Sequence, residues 1–185
     1  MSTTIYDQHY QSLDYFGKPY PELVDFFKRL DRDQTILDLG CGQGRDLLFL
    51  AKLGFNMIGV DLSTVGIEQV KRRANQLKLH ISLEVADIYN YIIPPGVDII
   101  LMDSMLHFYK NNIQKETELV NSLLDQLKNG GFFCNCLLKG KRREMILKDI
   151  IEKSRFEWNI IYDDYIDYPD NNSEYHFLVL EKRWT

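Results

Sequence analysis

The sequence contains few cysteines and no long apolar run. These two absences argue against a disulfide-stabilised protein and against a membrane-spanning one. Cysteine occurs at Cys41, Cys134 and Cys136 among 185 residues, and an odd number does not support a disulfide framework. Cys134 and Cys136 are two residues apart in a β-type run, so we interpret them as small apolar core residues on one face rather than a metal or redox pair. No apolar run approaches the roughly 20 residues that a membrane-spanning helix needs.

The sequence also lacks an excess of positive charge and a secretory leader. Its 22 Lys and Arg are outnumbered by 27 Asp and Glu, and a formal net charge of −5 does not favour nucleic acid or an anionic membrane as a partner. Residues 1–7 lack the basic stretch and apolar run of a signal peptide. We therefore expect a cytoplasmic protein without membrane contact, present as a monomer or a homodimer.

What the sequence does contain is an alternation of apolar strands and amphipathic helices. Towards the C-terminus, the β-rich runs 157–165 and 175–181 leave no room for a crossover helix between them, so they must form an antiparallel hairpin. We predict an α/β fold, with a Rossmann-like, open, seven-stranded, mostly parallel sheet, this hairpin at its edge and helices on both faces. The other strands are predicted over 35–39, 56–60, 81–86, 97–102 and 132–138.

A glycine-rich turn, Gly40-Cys41-Gly42-Gln43-Gly44, follows the first predicted strand. Glycines let a ligand approach the main chain closely, and the free N–H groups at the start of the next helix can hold a carboxylate. The dinucleotide fingerprint is not met, because its last glycine is replaced by Arg45, and no Gly-Lys-Ser/Thr of a phosphate-binding loop follows. Taken alone, the turn leaves a purely structural role open.

Acidic residues follow three successive predicted strands, at Asp61, Asp87 and Asp103. Ligands of open α/β sheets bind along this edge, where Asp61 could accept hydrogen bonds from both ribose hydroxyls and Asp87 could meet an adenine amino group. Three carboxylates without a basic phosphate clamp favour a cationic nucleoside over a pyrophosphate. The structural alternative for Asp61 and Asp87 is a helix cap after each strand.

Four segments resemble, in order, the motifs of the class I S-adenosylmethionine-dependent methyltransferases. They are ILDLGCGQGRDLLFLAKLGFNMIGVDLS (36–63), ADI (86–88), DIILMDSMLHF (98–108) and LLDQLKNGGFFCN (123–135). The resemblance covers about residues 15–138, and the sequence of its motifs is most similar to small members of the tellurite- and thiopurine-methyltransferase type. It implies S-adenosyl-L-methionine as cofactor and S-adenosyl-L-homocysteine as product. We thus divide one domain, 1–185, into an N-terminal lid and helix (1–33), a cofactor-binding core (34–138) and a last helix with the hairpin (139–185).

The resemblance also implies roles for individual residues. Asp38 would support the glycine turn or touch the cofactor's amino group, and Asp103 with Ser104 would lie near the methionine part and the methyl group. The other implied contacts are with the methionine part for Gly40, Cys41, Gly42 and Gly44, with the ribose for Asp61, with the adenine for Leu62, Asp87 and Ile88, and from a lid for Tyr15.

Three further features bear on the reaction. His107, in the loop after strand four, is the candidate general base, and a backbone-bonded or wall residue is its alternative. The aromatic residues of the N-terminal stretch could form a lid, and no spacing suggests a metal site. A basic cluster at 139–143 could attract an anionic substrate. The aromatic residues concerned are Tyr6, Tyr10, Tyr15 and Phe16.

We therefore expect methyl transfer to a small-molecule acceptor by in-line displacement. After strand four, Asp103-Ser104-Met105-Leu106 stands where enzymes that methylate amino groups of nucleic-acid bases carry Asn/Asp-Pro-Pro-Tyr/Phe. Methylation of a protein or RNA is an alternative, and so is a regulatory protein that binds the cofactor without catalysis.

Overall fold

The computed structural model describes residues 6–12, 15–169 and 172–183. Within these ranges seven strands form one sheet: β1 (Thr35–Leu39), β2 (Asn56–Asp61), β3 (Ile81–Val85), β4 (Ile99–Asp103), β5 (Phe132–Leu138), β6 (Trp158–Asp167) and β7 (Glu174–Lys182). The α-helices of the same ranges are α1 (Tyr6–His9), α2 (Pro21–Lys28), α3 (Arg45–Lys52), α4 (Thr64–Leu77), α5 (Ile113–Gln126) and α6 (Lys141–Glu152).

The strand order is β3-β2-β1-β4-β5-β7-β6. Strands β1 to β5 are parallel, and β7 lies antiparallel between β5 and β6, which confirms the predicted sheet and terminal hairpin. The chain runs outward from β1 to β3 and then returns to β4 beside β1. The carboxyl ends of β1 and β4 therefore flank the switch point where ligands bind in open α/β sheets.

Both faces of the sheet are covered, which explains why its central strands are almost wholly apolar. On one face, helices α2, α3 and α4 bury Leu23, Leu47 and Val70 against the sheet. On the other face, helices α5 and α6 bury Leu123 and Leu147. The three cysteine thiols are free and buried, with Cys134 and Cys136 in the same apolar cluster.

Most element boundaries agree with the sequence prediction, and the exceptions have local causes. Strand β4 begins at Ile99 rather than 97, after a turn at residues 95–96, and the side chain of Asp98 just before it accepts a hydrogen bond from the Thr35 N–H at 2.7 Å. Strand β6 extends to Asp167, with an irregular register after Ile160. Ser63 caps α4, its hydroxyl accepting from the Gly66 N–H at 3.0 Å.

Candidate active site

A cavity of about 500 Å³ opens at the carboxyl ends of β1, β2 and β4. It brings together most residues that the sequence singled out. Gly44 and Tyr15 do not line it: a Cβ on Gly44 would meet Val70 of α4, and the Tyr15 side chain is half exposed. The predicted residues that do line it are Asp38, Gly40, Cys41, Gly42, Asp61, Leu62, Asp87, Ile88, Asp103, Ser104 and His107.

The glycine turn needs glycine at Gly40 and Gly42 for two reasons. Both have positive φ, +85° and +52°, a region that other residues rarely adopt. A Cβ at Gly40 would also overlap the Met105 side chain, and one at Gly42 would lie 2.8 Å from the Tyr10 hydroxyl. The turn therefore leaves its main chain close to the cavity, and Met105 and Tyr10 lie against it.

Asp61 ties the glycine turn to the start of α4. Its carboxylate accepts hydrogen bonds from the N–H of Gly42 at 2.8 Å and from the N–H of Ser63 at 2.7 Å. Burial raises the pKa of Asp61, although these two bonds oppose the rise. Since a carboxylate offers about four acceptor positions, Asp61 can still accept hydrogen bonds from a ligand's hydroxyl groups.

Asp87 acts as a cap and also lines the cavity. Its carboxylate accepts from the Tyr89 N–H at 3.1 Å and so caps the short 3-10 helix Ile88–Asn90, as the structural alternative supposed. The Lys115 ammonium lies 3.8 Å away. The cap leaves room for a ligand contact, because Asp87 and Ile88 both line the cavity.

The floor of the cavity carries several buried carboxyl groups. Asp38 is buried, and its pKa is raised well above the usual range by burial and by the nearby carboxylates of Asp46 and Asp61, while Arg45 lowers it. Asp103 pairs with the Arg45 guanidinium and accepts from the Ser104 hydroxyl at 2.8 Å. Ser104 has a φ of +59°, which places its hydroxyl beside the end of β4.

The segment between β4 and α5 is fixed by residues from two helices. Glu116 of α5 is buried and accepts from the backbone N–H groups of His107, at 3.0 Å, and Phe108. Arg142 of α6 donates to the Phe108 carbonyl at 2.9 Å. Phe108 has a φ of +50°, a strained backbone conformation for a residue other than glycine. Such a conformation costs roughly 1–3 kcal/mol, which the surrounding contacts must offset.

The ring of His107 lies where either a general base or a residue of the cavity wall would lie, and its use as a base stays a prediction. Its backbone bonds to Glu116, while its ring lines the cavity and stacks on Tyr109 with centroids 5.4 Å apart. Burial lowers the pKa of His107, and the charge of Arg143 lowers it further, although Glu116 opposes both. The imidazole is therefore mostly neutral at pH 7 and able to accept a proton.

The N-terminal segment, of which the structure describes residues 10–12 and 15–17, covers one side of the cavity. Tyr10 and Phe16 line it, whereas the side chain of Tyr6 is outside the described residues. The segment is held by polar groups: the Gln43 amide donates to the Ser12 carbonyl at 2.8 Å, and the Gln69 amide donates to the Tyr10 carbonyl at 2.7 Å.

Comparison with known proteins shows to which family the chain belongs. The profile of the family described as "Methyltransferase domain" matches residues 36–131, just over half of the chain. The chain belongs to the methyltransferase domain family. The predicted resemblance to class I S-adenosylmethionine-dependent methyltransferases is thereby confirmed, and TehB is among its relatives.

Three relatives illustrate the range of this methyltransferase family. TehB of Haemophilus influenzae is 28% identical over 125 residues, covering 64% of this chain and 43% of TehB. Its structure matches with a TM-score of 0.69 at 19% identity, over 96% of this chain and 66% of that chain. The 2-heptyl-1-hydroxyquinolin-4(1H)-one methyltransferase of Mycobacteroides abscessus is 32% identical over 76 residues, covering 40% of this chain and 34% of that protein. The mRNA cap guanine-N(7) methyltransferase of Schizosaccharomyces pombe is 26% identical over 142 residues, 69% of this chain and 38% of that protein.

The alignments span only about a third to two fifths of these curated relatives, and the names of the relatives point to acceptors of different kinds. Within the described part of this member of the methyltransferase domain family, no helix is both long and apolar enough to cross a membrane. In the same part, no three His, Cys, Asp or Glu side chains are grouped as they would be around a metal ion.

Sequence reasoning missed several residues of the site. Arg45 was noted only as a departure from the dinucleotide fingerprint, yet its guanidinium lies buried beside Asp46 and Asp103. An Arg-Asp pair in the first turn of a helix that starts at the ligand edge was the signal available. Glu116 carried no comparable signal, because it lies nine residues beyond His107 on an amphipathic helix. Two residues of the basic cluster at 139–143 act on the segment after β4: Arg142 donates to the Phe108 carbonyl, and the charge of Arg143 lowers the pKa of His107. Neither of them lines the cavity.

Proposed function

We propose that this methyltransferase domain binds S-adenosyl-L-methionine in the cavity and transfers its methyl group to a small-molecule acceptor. The observation that carries the proposal is the charge of the cavity. Among the described residues that line it, the acidic side chains face a single guanidinium, that of Arg45. A cavity of this charge suits a ligand with a sulfonium and an ammonium group, and it disfavours a pyrophosphate. The acidic lining residues are Asp38, Asp46, Asp61, Asp87, Asp103 and Glu116.

The order of residues along the sheet edge supports one orientation of the cofactor. The adenine lies by Asp87 and Ile88, and the ribose hydroxyls donate to Asp61, with Leu62 beside the ring. The methionine part lies along the glycine turn, where its ammonium group is near Asp38 and Asp103. This orientation brings the methyl group to the side of Ser104 and His107, where an acceptor would enter.

The size and cover of the cavity support a small acceptor. Sites for drug-sized ligands have volumes of about 300–1,000 Å³. A cavity of about 500 Å³ that must already hold the cofactor leaves space for a small group only. Tyr10 and Phe16 further cover it, which favours a small molecule over a folded protein or an RNA.

The chain's own contribution to the reaction is alignment, exclusion of water and, where the acceptor bears a proton, a base. When bound, S-adenosyl-L-methionine supplies an activated methyl group. The fixed segment after β4 holds an acceptor in line with it, which can lower the barrier by several kcal/mol. The neutral imidazole of His107 accepts the proton of a phenol or amine, whereas an acceptor that is already anionic needs no base.

The proposal predicts binding first and transfer second. Either S-adenosyl-L-methionine or S-adenosyl-L-homocysteine, at 100 times its Kd, should stabilise the protein by about 2.7 kcal/mol and raise its melting temperature. Incubation of the protein with S-adenosyl-L-methionine and a pooled metabolite extract should then release S-adenosyl-L-homocysteine. The same incubation with RNA or lysate protein should not.

The remaining outcomes separate the alternatives. Release with RNA or protein alone would contradict a small acceptor. Binding without release in any mixture would favour a regulatory protein that only binds the cofactor. No stabilisation by either compound would overturn the proposed cofactor site altogether.

A further inference from the structure

Arg45 joins four parts of the chain at the cavity floor. It is the first residue of α3, directly after the glycine turn, and its side chain is only 11% exposed. It contacts its neighbour Asp46, Asp103 at the end of β4, the carbonyl of Phe16 in the N-terminal segment, and Tyr168 in the hairpin. The Phe16 carbonyl also accepts from the Tyr168 hydroxyl at 2.6 Å, so the two outer contacts form one unit.

The contacts involve every nitrogen of the guanidinium. The Nε–H and one Nη2–H donate to Asp46, at 3.2 Å and 2.8 Å, and Nη2 also pairs with Asp103. The two Nη1–H groups face the Tyr168 hydroxyl at 3.3 Å and the Phe16 carbonyl at 3.5 Å. Because each of the three guanidinium nitrogens already faces a protein oxygen, a ligand carboxylate would have to displace one of these contacts. Arg45 is therefore arranged to hold protein groups in place.

The aromatic surroundings fix the plane of the guanidinium. It lies 5.0 Å from the ring centroid of Tyr20 and 5.7 Å from that of Tyr168. Tyr20 is fully buried, and its ring also packs against Tyr168 and Tyr175 with centroids 5.5 Å and 5.6 Å away. Stacking of this kind favours arginine over lysine, whose ammonium is a point charge without a planar face.

The charge of Arg45 also favours the ionised form of the carboxylate next to it on the cavity floor, that of Asp103. Asp46 and Asp103 are buried and close to the same guanidinium, with side chains 6% and 7% exposed. A buried carboxylate such as that of Asp103 is disfavoured in its ionised form when no cation lies nearby. Arg45 therefore allows Asp103 to keep its negative charge while it faces the cavity.

We propose that Arg45 is a positioning residue that holds Asp103 ionised and aimed at the cofactor's ammonium group, and that at the same time fastens the N-terminal segment and the hairpin over the cavity. This inference rests on the proposed function for its ligand. The fastening is independent of any ligand, because it joins groups of the protein only.

The test compares Arg45→Met and Arg45→Lys with the wild type in the full chain. Two quantities are measured: the Kd of S-adenosyl-L-homocysteine by calorimetry from pH 5 to 9, and hydrogen exchange of residues 10–17 with and without the ligand. S-adenosyl-L-homocysteine keeps the ammonium group and cannot react. The matched control is Arg32→Met. Like Arg45, Arg32 donates several hydrogen bonds, here to three backbone carbonyls, and its guanidinium lies over an aromatic ring, that of Phe55, at 4.7 Å. Arg32 does not line the cavity.

The expected results separate charge from geometry. Arg45→Met should weaken affinity about tenfold at pH 7, with a smaller loss at pH 9 where the carboxylates ionise regardless, and residues 10–17 should exchange about tenfold faster. Arg45→Lys should keep affinity within about threefold and keep the wild-type pH profile, because the charge remains. It should still exchange quickly at residues 10–17, because one ammonium cannot span the four contacts. Arg32→Met should change neither quantity.

Three outcomes would overturn the inference. One is an Arg45→Met variant whose affinity and exchange match those of Arg32→Met. Another is slow exchange in Arg45→Lys, which would make the fork geometry irrelevant. The third is an affinity loss in Arg45→Met that is equal at every pH. If the wild type itself failed to bind, the proposed function would fall, while exchange in the ligand-free variants would still decide whether Arg45 fastens the segment.

Discussion

Asp38 shows how the site trades stability for ligand binding at the scale of one residue. Burial first, and then the carboxylates of Asp46 and Asp61, raise its pKa well above 3.8. Its contribution to stability is therefore fully present below pH 3.8 and is lost as the pH rises through the raised pKa. Above that pH the ligand-free protein holds an ionised, buried carboxylate, which a bound cation would compensate.

We predict that affinity for S-adenosyl-L-methionine rises with pH through the raised pKa of Asp38. The reason is that the cation favours the ionised form, so binding below that pKa must release a proton. Asp38→Asn should flatten this rise, weaken binding about tenfold at pH 7 and leave the ligand-free protein at least as stable. Calorimetry in buffers of different ionisation enthalpy measures the proton release directly.

The matched control for this prediction is Asp98→Asn. Asp98 is also acidic, but it lies just before β4 and bonds to Thr35 and Lys128 at the opposite end of the strands, so its loss should not alter the pH slope. A wild-type affinity that is independent of pH between 4 and 8 would contradict the assignment of Asp38 to the cofactor's cationic end.

At the residue scale, sequence reasoning reached the groups that lie next to a recognisable motif. Gly40, Asp61 and Asp103 could be predicted because each directly follows a buried strand. Arg45 could not be assigned its contacts, because its partners Phe16 and Tyr168 are 29 and 123 residues away. Such long-range polar contacts leave no periodic pattern in the sequence.

At the scale of secondary-structure elements, the C-terminus of α5 depends on a buried lysine. Lys182 of β7 is 3% exposed, and its ammonium donates to the carbonyls of Leu124 at 2.7 Å and Leu127 at 2.6 Å. It also lies 3.4 Å from the ring centroid of Phe156. The last carbonyls of a helix lack partners within the helix, and a positive charge is favourable there.

Lys182→Met should lower the free energy of unfolding by about 2 kcal/mol, because it leaves buried carbonyls unpaired and removes a charge from the helix end. Urea unfolding measures the loss. The control is Lys148→Met, which breaks a partly exposed ion pair with Asp163 and should cost less than about 1 kcal/mol. Equal losses in the two variants would contradict a capping role for Lys182. Cofactor affinity should not change in either variant, since neither residue lines the cavity.

The elements themselves were largely predictable, and their ends were less so. Strand β5 follows from a continuous apolar pattern, and the structure places it at the predicted residues, 132–138. The N-terminal stretch is the exception, since α1 (Tyr6–His9) forms where no helical period was visible. Its four residues are too few for a period to show, and the segment is held instead by polar groups such as Gln43 and Gln69.

At the scale of the whole molecule, the sheet order turns separate acidic residues into one site. Asp38, Asp61 and Asp103 come from β1, β2 and β4, which are neighbours in the sheet although not all are neighbours in sequence. The alternation of strands and helices predicted that these residues share one edge, because parallel strands with crossover helices place their carboxyl ends on the same side. The cover over that edge was not predictable in detail, since it depends on how the N-terminal segment meets the hairpin.

The most direct test of this account is a crystal structure of the protein soaked with S-adenosyl-L-homocysteine. The account predicts ribose hydroxyls within hydrogen-bonding distance of Asp61, adenine beside Asp87 and Ile88, and the ammonium group near Asp38 and Asp103. Arg45 should keep its contacts with Asp46 and Asp103. Ligand density elsewhere would contradict the account, and so would a cavity that holds no ligand because Tyr10 and Met105 fill it.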